Sequence, residues 1–324
     1  MRRILVTGAA GFVGRHAVAA LAERFAGTAT VVGIGRGSFG SLPEGADYRQ
    51  LDLLDQASLA TFVAAFRPTD ILHLAALSSV QQAGDLPTET WRANLVGLLN
   101  LAEAAMEIAS PPNLFFVSSG EVYGRAFLSG APLSEETEPQ PVGSYPLSKR
   151  LGEQMLRDVL AKSDAKLIVL RPFNHIGPGQ DERFVVASFA GQIARIEAGS
   201  RPPWIEVGNL SASRDFLDID DVVGAYLGLI AQVDALESGA VFNICSGLPR
   251  TIESVLADLR AMARVPFEVR IAPDRMRPSE IAVAAGDAGR LTAATGWRPA
   301  AVWSETLSRV LADARARAAE PGRP

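Results

Sequence analysis

Residues 7–14 read Thr7-Gly8-Ala9-Ala10-Gly11-Phe12-Val13-Gly14, and what flanks them decides the fold. Before them, Arg3-Ile4-Leu5-Val6-Thr7 reads as a buried strand; after them, Arg15 to Arg24 reads as a helix. A strand, a glycine turn and a helix start form an arrangement that holds a pyrophosphate, because free N–H groups and the positive end of the helix dipole face the anion. Gly8 permits the tight turn, Gly11 lets backbone approach phosphate without a Cβ, and Gly14 lets the helix pack closely on the strand. The spacing is G-x-x-G-x-x-G rather than G-x-G-x-x-G. Phe12 and Val13, between the glycines, join Gly8, Gly11 and Gly14 as cofactor-binding candidates.

Outward from this turn, apolar β-rich runs alternate with helical patterns: Ile4–Thr7, Val31–Ile34, Ile71–Leu74, Leu114–Ser118 and Leu167–Leu170. Such alternation predicts an α/β fold, a Rossmann-type doubly wound parallel sheet with helices on both faces. Ligands of these sheets sit beyond the carboxyl ends of the strands. Gly35, Leu74-Ala75-Ala76, Ser118-Ser119 and Arg171 fall there, and Asp52-Leu53 follows a further strand-like run where an adenine edge can lie. Small Ala75 and Ala76 let a cofactor lie close to backbone. Asn94 interrupts a helical stretch and either bonds backbone near Lys149 or marks a polar helix surface.

After Leu170 the alternation breaks. Residues 171–211 are rich in Gly and Pro with one helix, Phe184–Ala198; 218–232 read as a helix, Gly239–Cys245 as a strand rejoining the sheet, and 250–324 as a helix from Thr251, a strand near Phe267–Ile271 and a final helix from Ser304. The expected division is a dinucleotide-binding domain of 1–171 plus about 212–245, and a smaller discontinuous α/β substrate domain of about 172–211 plus 246–324. Residues 320–324 are expected to fray.

The chain has 324 residues, is 48% hydrophobic and 21% charged, and carries a net charge of -5 with no basic block, which speaks against nucleic-acid binding. No apolar stretch approaches ~18 residues, so no membrane span is expected. The first strand begins at once and leaves no room for a signal peptide, which points to the cytoplasm. The single Cys245 excludes an internal disulfide and a Cys-based metal cluster, and three scattered histidines argue against zinc.

The second strand bears on the cofactor. An acidic residue about 20 positions past the glycines binds the ribose 2′-hydroxyl of NAD. Here Gly35 and Arg36 occupy that place, with no Asp or Glu between Glu23 and Glu44. An arginine beside the ribose favours a 2′-phosphate, so NADPH is expected over NADH, unless Arg36 turns away into solvent.

Chemistry is carried by Tyr145-Pro-Leu-Ser-Lys149, about 26 residues past Ser119 in Val117-Ser-Ser-Gly-Glu-Val-Tyr-Gly124. In a helix, Tyr145 and Lys149 stand at i and i+4 on one face. A neighbouring ammonium is expected to lower the phenol's pKa toward the working range, and Ser119 to bond the same substrate oxygen.

Together the glycine turn, VSSGEVYG, YPLSK and Arg214-Asp215-Phe216 resemble the extended short-chain dehydrogenase/reductases that act on nucleotide sugars. RPFNHIGPGQ (171–180), Val207-Gly208-Asn209-Leu210 and the run Arg214 to Val223 are most similar to the GDP-4-keto-6-deoxymannose reductases, which make GDP-D-rhamnose. The resemblance implies Tyr145 as general acid, Lys149 as its electrostatic partner and the holder of the nicotinamide ribose, and Ser119 at the C4 oxygen. It further implies that Asn174, Val207, Arg214 and Arg277 contact the nucleotide sugar, the arginines clamping its diphosphate. Related dehydratases carry an acid where this chain has Gly120, so Glu121 is read as retained or as a sugar contact rather than as half of an elimination pair. A 4-epimerase or 4,6-dehydratase with tightly held NAD, and a non-catalytic NADP-binding regulator, stay open as alternatives. The helices bearing Leu147, Leu151, Met155 and Leu156, and Leu95, Leu98, Leu99 and Leu101, either pair into the family's four-helix homodimer interface or bury against their own sheet. With a 4-keto nucleotide sugar as substrate, kcat/KM measured with NADPH should exceed that with NADH; a strong NADH preference would refute the reading of Arg36.

Overall fold

The computed structural model of the protein describes residues 1–276 and 281–319. Its strands are β1 (Arg2–Thr7), β2 (Ala29–Gly35), β3 (Ala46–Gln50), β4 (Asp70–His73), β5 (Asn113–Val117), β6 (Leu167–Pro172), β7 (Asn174–Ile176), β8 (Trp204–Val207), β9 (Ser213–Asp218), β10 (Ala240–Ile244), β11 (Pro249–Thr251), β12 (Glu268–Ile271) and β13 (Val283–Ala284). Seven of them form one parallel sheet in the order β10-β6-β5-β4-β1-β2-β3. The chain winds outward from β1 to β3, then returns to β4 on the other side of β1. That reversal opens a crevice at the carboxyl ends of β1 and β4, the place where open α/β sheets bind ligands.

The apolar runs are continuous because both faces of the sheet are covered. Successive side chains alternate: Ile4 and Val6 enter one core with the helices Phe12–Arg24 and Ile219–Ala231, while Leu5 enters the other with Gln56–Phe66, Gly97–Met106 and Ser144–Val159. Leu98, Leu101 and Leu156 are spent on this second core.

A smaller unit lies over the carboxyl edge. Strands β11, β9 and β13 form a second sheet that β7 joins through β9, and β12 pairs with β8. The helices Val185–Glu197, Ile252–Ala261 and Trp303–Ala319 bury an independent apolar core beside them. The segment 212–245, expected to belong wholly to the large domain, is split. Its strand β9 pairs inside the small sheet, whereas helix Ile219–Ala231 and β10 return to the large one. Asp218 makes the change of direction: it caps the helix by accepting the Asp220 N–H at 2.8 Å and also binds Thr306 of the last helix at 2.5 Å. The tail residues 320–324 lie outside the described residues.

Close approach fixes the glycine turn. A Cβ on Gly14 would stand 2.2 Å from the Gly8 carbonyl oxygen and 2.6 Å from Ala9 Cα, both backbone atoms that cannot step aside. Gly14→Ala should therefore lower the unfolding free energy by about 1–3 kcal/mol in urea titrations. Gly37→Ala, where a Cβ meets nothing within 4 Å, should stay within about 0.5 kcal/mol of wild type.

Candidate active site

A cleft of about 900 Å³ runs between the sheet's carboxyl edge and the small unit. On the dinucleotide side it is lined by Gly8, Gly11, Phe12, Val13, Gly14, Arg36, Asp52, Leu53, Leu74, Ala75 and Ala76. Gly8 has φ +69°, and a Cβ there would lie 2.7 Å from the Ala75 backbone nitrogen, so β1 and β4 end in direct backbone contact. Helix Phe12–Arg24 starts at Gly11 with no side-chain cap and no acidic residue in its first turn. Its amide end thus lines the cleft with neither a side-chain cap nor an acidic first turn to neutralise it, as an anion requires. Arg36, at the end of β2, is exposed at the cleft margin, and its carbonyl accepts from Gln50 Nε2 at 2.7 Å.

Tyr145, Lys149 and Ser119 line the middle of the same cleft. Tyr145 and Lys149 are one turn apart on helix Ser144–Val159, and Ser119 follows β5. The expected lowering of the phenol's pKa is absent. Burial pushes Tyr145 up to about 12, opposed by a hydrogen bond with Ser119. The reason is geometric: the Lys149 ammonium donates to the Val117 carbonyl at 2.7 Å and lies 5.1 Å above the Phe116 ring. Burial brings Lys149 itself down to about 7, with the Glu153 charge resisting. His73, stacked on Phe116 and bonded to Thr7 Oγ1 at 2.9 Å, is pushed to about 3 by burial and by the Lys149 charge. At neutral pH the cleft thus holds a protonated phenol and a lysine near its titration point, with the neutral His73 imidazole buried against Phe116.

The far side carries Glu121, Asn174, Val207 and Arg214. Burial raises Glu121 above the usual carboxylate value, and the Arg214 guanidinium opposes this. Arg214 Nη1 donates to the Ser213 carbonyl at 2.8 Å. Neighbouring Asp215 is fully buried and turns away to clamp the 246–247 turn through Ser246 N–H and Gly247 N–H, each at 2.8 Å. Arg277 lies outside the described residues; Arg275, two positions earlier, reaches the cleft beside Ser188 and Glu206. A Cβ on Gly120 would come within 2.8 Å of the Phe173 ring, so position 120 has no room for a side chain while that ring stays in place.

Two candidates sit behind the wall instead of in it. Asn94 does not line the cleft. It accepts the Leu77 N–H at 2.8 Å and donates to Ser148 Oγ at 2.9 Å; that hydroxyl donates on to the Tyr145 carbonyl. Its segment Arg92–Val96 is a π-helical turn between Pro87–Trp91 and Gly97–Met106, which turns the amide inward. Arg171 is likewise withdrawn, making a bidentate pair with fully buried Glu153 at 2.9 and 2.7 Å. Ser118 Oγ donates to the same carboxylate at 2.6 Å. Burial alone would raise Glu153, yet the Arg171 hydrogen bonds and charge, with Ser118, hold it below the usual carboxylate range.

Residues 4–245 match the family model described as the NAD dependent epimerase/dehydratase family. The chain belongs to this family. It is 37% identical over 319 residues to the GDP-6-deoxy-D-mannose reductase of Pseudomonas aeruginosa, covering 98% of this chain and 99% of that one. It is 29% identical over 322 residues to the UDP-glucose 4-epimerase of Mycolicibacterium smegmatis, covering 95% and 97%. The solved structure of RMD from Pseudomonas aeruginosa complexed with NADPH superposes with a TM-score of 0.84 at 36% identity, covering 98% of this chain and 100% of that one.

Within this family member, several cleft residues gave no signal in the sequence. Arg275, Ser188 and Tyr226 come from a short turn and two helices that only packing across the chain brings to the cleft, and His175 enters by stacking on Phe12 at 6.0 Å. The buried lysine has a measurable signature. Between pH about 7 and 10.5, folding strips a proton that the unfolded chain keeps, so stability climbs as pH rises through that window and is flat for this group below it. In urea titrations across this range, Lys149→Met should lose that rise; an unchanged slope would place the charge elsewhere.

Proposed function

We propose that this chain reduces the C4 ketone of GDP-4-keto-6-deoxy-D-mannose with NADPH, giving GDP-6-deoxy-D-mannose, that is GDP-D-rhamnose. The observation that carries the reading is the meeting, in one cleft, of an uncapped helix amide end with a phenol, a serine hydroxyl and a buried lysine. The reductase relative at 37% identity supports the substrate class, and the NADPH-bound neighbour together with Arg36 supports the cofactor.

The residues fit that cofactor. The close approach of Gly8 to Ala75 leaves a backbone cradle, the amide end of helix Phe12–Arg24 suits a pyrophosphate, and Arg36 suits a 2′-phosphate. Asp52 and Leu53 would border the adenine, with Leu74, Ala75 and Ala76 under the dinucleotide. When bound, NADPH supplies the hydride for C4. Tyr145 gives its proton to the oxygen that becomes the alcohol. A phenol held at about 12 enters the reaction fully protonated, which is the form a reduction consumes. Ser119 donates to the same oxygen, and the Lys149 charge stabilises the phenolate left behind until solvent restores its proton. Arg214 and Arg275 meet the diphosphate, with Asn174, Val207 and Glu121 along the nucleotide sugar. Asn94 acts at one remove, fixing the helix start on which Tyr145 stands.

A 4,6-elimination asks for an acid beside Glu121, and Phe173 packs against Gly120 in that place. A 4-epimerase reading has relatives of its own, and it differs in stoichiometry: an epimerase returns its cofactor to the starting redox state, whereas a reductase consumes NADPH one for one. A cytoplasmic homodimer completes the proposal, its interface formed by Val96, Leu147 and Leu151, which remain exposed at 45%, 38% and 37% on adjacent helices. Incubation with NADPH and a panel of nucleotide 4-keto-6-deoxysugars, with products assigned by NMR, tests the reading. Tyr145→Phe should cut kcat by about two orders of magnitude or more while KM for the sugar changes little; near-wild-type turnover in that variant would end the proposal.

A further inference from the structure

Three successive turns of helix Ser144–Val159 meet the end of β5. Tyr145 shares a hydrogen bond with the Ser119 hydroxyl, Lys149 Nζ donates to the Val117 carbonyl at 2.7 Å, and Glu153 accepts from Ser118 Oγ at 2.6 Å. The first two contacts belong to the reacting groups. The third lies behind them, where Glu153 is fully buried. Its carboxylate is saturated: Oε1 takes Ser118 Oγ and Arg171 Nε, and Oε2 takes Arg171 Nη2 and, at 3.1 Å, Arg150 Nη1. It is therefore a fixed acceptor, tied to β6 through Arg171. Ser118 is where this anchor meets the chemistry. The residue before it supplies the carbonyl that holds Lys149, and the residue after it is Ser119.

We propose that Ser118 is a positioning residue: its hydroxyl, bonded to Glu153, fixes the end of β5 along helix Ser144–Val159 and so sets Ser119 and Lys149 in register with the Tyr145 phenol. This rests on the reading of those three side chains as the groups that reduce a ketone. Apolar packing alone does not set that register. A Cβ on Gly152 would stand 2.9 Å from the tip of the Phe116 ring and 3.1 Å from Leu98 Cδ2, so helix and strand already touch there. Such contact decides how near the two elements lie, but not how far one has slid along the other, because burial of apolar surface has no direction. A hydrogen bond has one, and weakens steeply as its angle closes. The Ser118 bond also falls where direction is needed. Strand β5 ends at Val117, and past Ser119 the chain turns into the 3₁₀ helix Gly120–Tyr123. The Ser118 N–H bonds the Leu170 carbonyl at 2.7 Å, which ties this point to β6; the hydroxyl ties it to the catalytic helix.

Steady-state kinetics of Ser118→Ala with NADPH and the 4-keto sugar, expressed per NADPH site counted by calorimetry, test the assignment. In this variant kcat should fall about tenfold while KM for the sugar and Kd for NADPH stay within about twofold, because misplaced reacting groups weaken the transition state and not the binding of either ligand. Counting sites removes any loss that comes from unfolded protein. Glu153→Met combined with Arg171→Met takes away the anchor and its buried counter-ion together, so neither charge is left alone. Adding Ser118→Ala to that pair should change kcat by less than about twofold, since the hydroxyl has lost what it acts through. A Ser118→Ala kcat within about twofold of wild type, a loss carried by KM or Kd, or a further fall of about tenfold in the triple variant, which would mean that Ser118 touches the reacting molecules itself, would each overturn the assignment. If the paired variant does not fold, Ser118→Ala decides by the first two criteria. Wild type that turns over no 4-keto sugar removes the reductase reading and this inference together, whereas an active wild type beside an indifferent Ser118→Ala removes the inference alone.

Discussion

A charge taken out of water has to be answered by another charge or by well-placed dipoles, and helix Ser144–Val159 is organised around that requirement. The Lys149 ammonium reaches the cleft only because the Val117 carbonyl and the Phe116 ring receive it and because Glu153 lies one turn behind. Glu153 in turn is held by Arg171 and Ser118, and Arg171 donates on to the Tyr123 hydroxyl at 3.1 Å. Tyr123 donates to Asn243 Oδ1, whose amide nitrogen bonds the Leu133 carbonyl. One chain of contacts therefore couples β5, β6, β10 and the loop after β5 to the residue that sets the local potential. Removing a single member leaves a buried ion without its partner, which is far more costly than losing an exposed pair.

The same economy of space shapes the cofactor side. Gly8, Gly14 and the backbone of Ala75 approach so closely that the turn has one available course. Rigid backbone there and paired charge beneath Lys149 hold two reacting partners in a fixed relation, and positioning of this kind removes much of the entropy cost of bringing them together.

Much of this was legible in residue order. The glycine turn, the alternating runs and the Tyr145–Lys149 spacing define the large sheet and most of the cleft, because each is a local pattern with a local cause. What escaped depends on contacts across the chain. Nothing within 212–245 says that β9 pairs with β7, β11 and β13 while the next helix crosses to the other sheet. Arg171 stands at a strand end as a ligand residue would, and only the arrival of Glu153 from another element withdraws it. Asn94 is polar in a helix for a reason that its own neighbours do not display, a bond to Ser148 more than fifty positions away. The phenol's upward shift follows from burial and from where the lysine points, neither of which spacing reveals.

The contact between Gly120 and the Phe173 ring also has an evolutionary consequence. A lineage moving from ketone reduction toward water elimination could not acquire the extra acid by one substitution at position 120, because the aromatic ring would first have to shrink or swing aside. The two sites are expected to change together across divergent sequences, and laboratory attempts to convert one activity into the other should vary both at once.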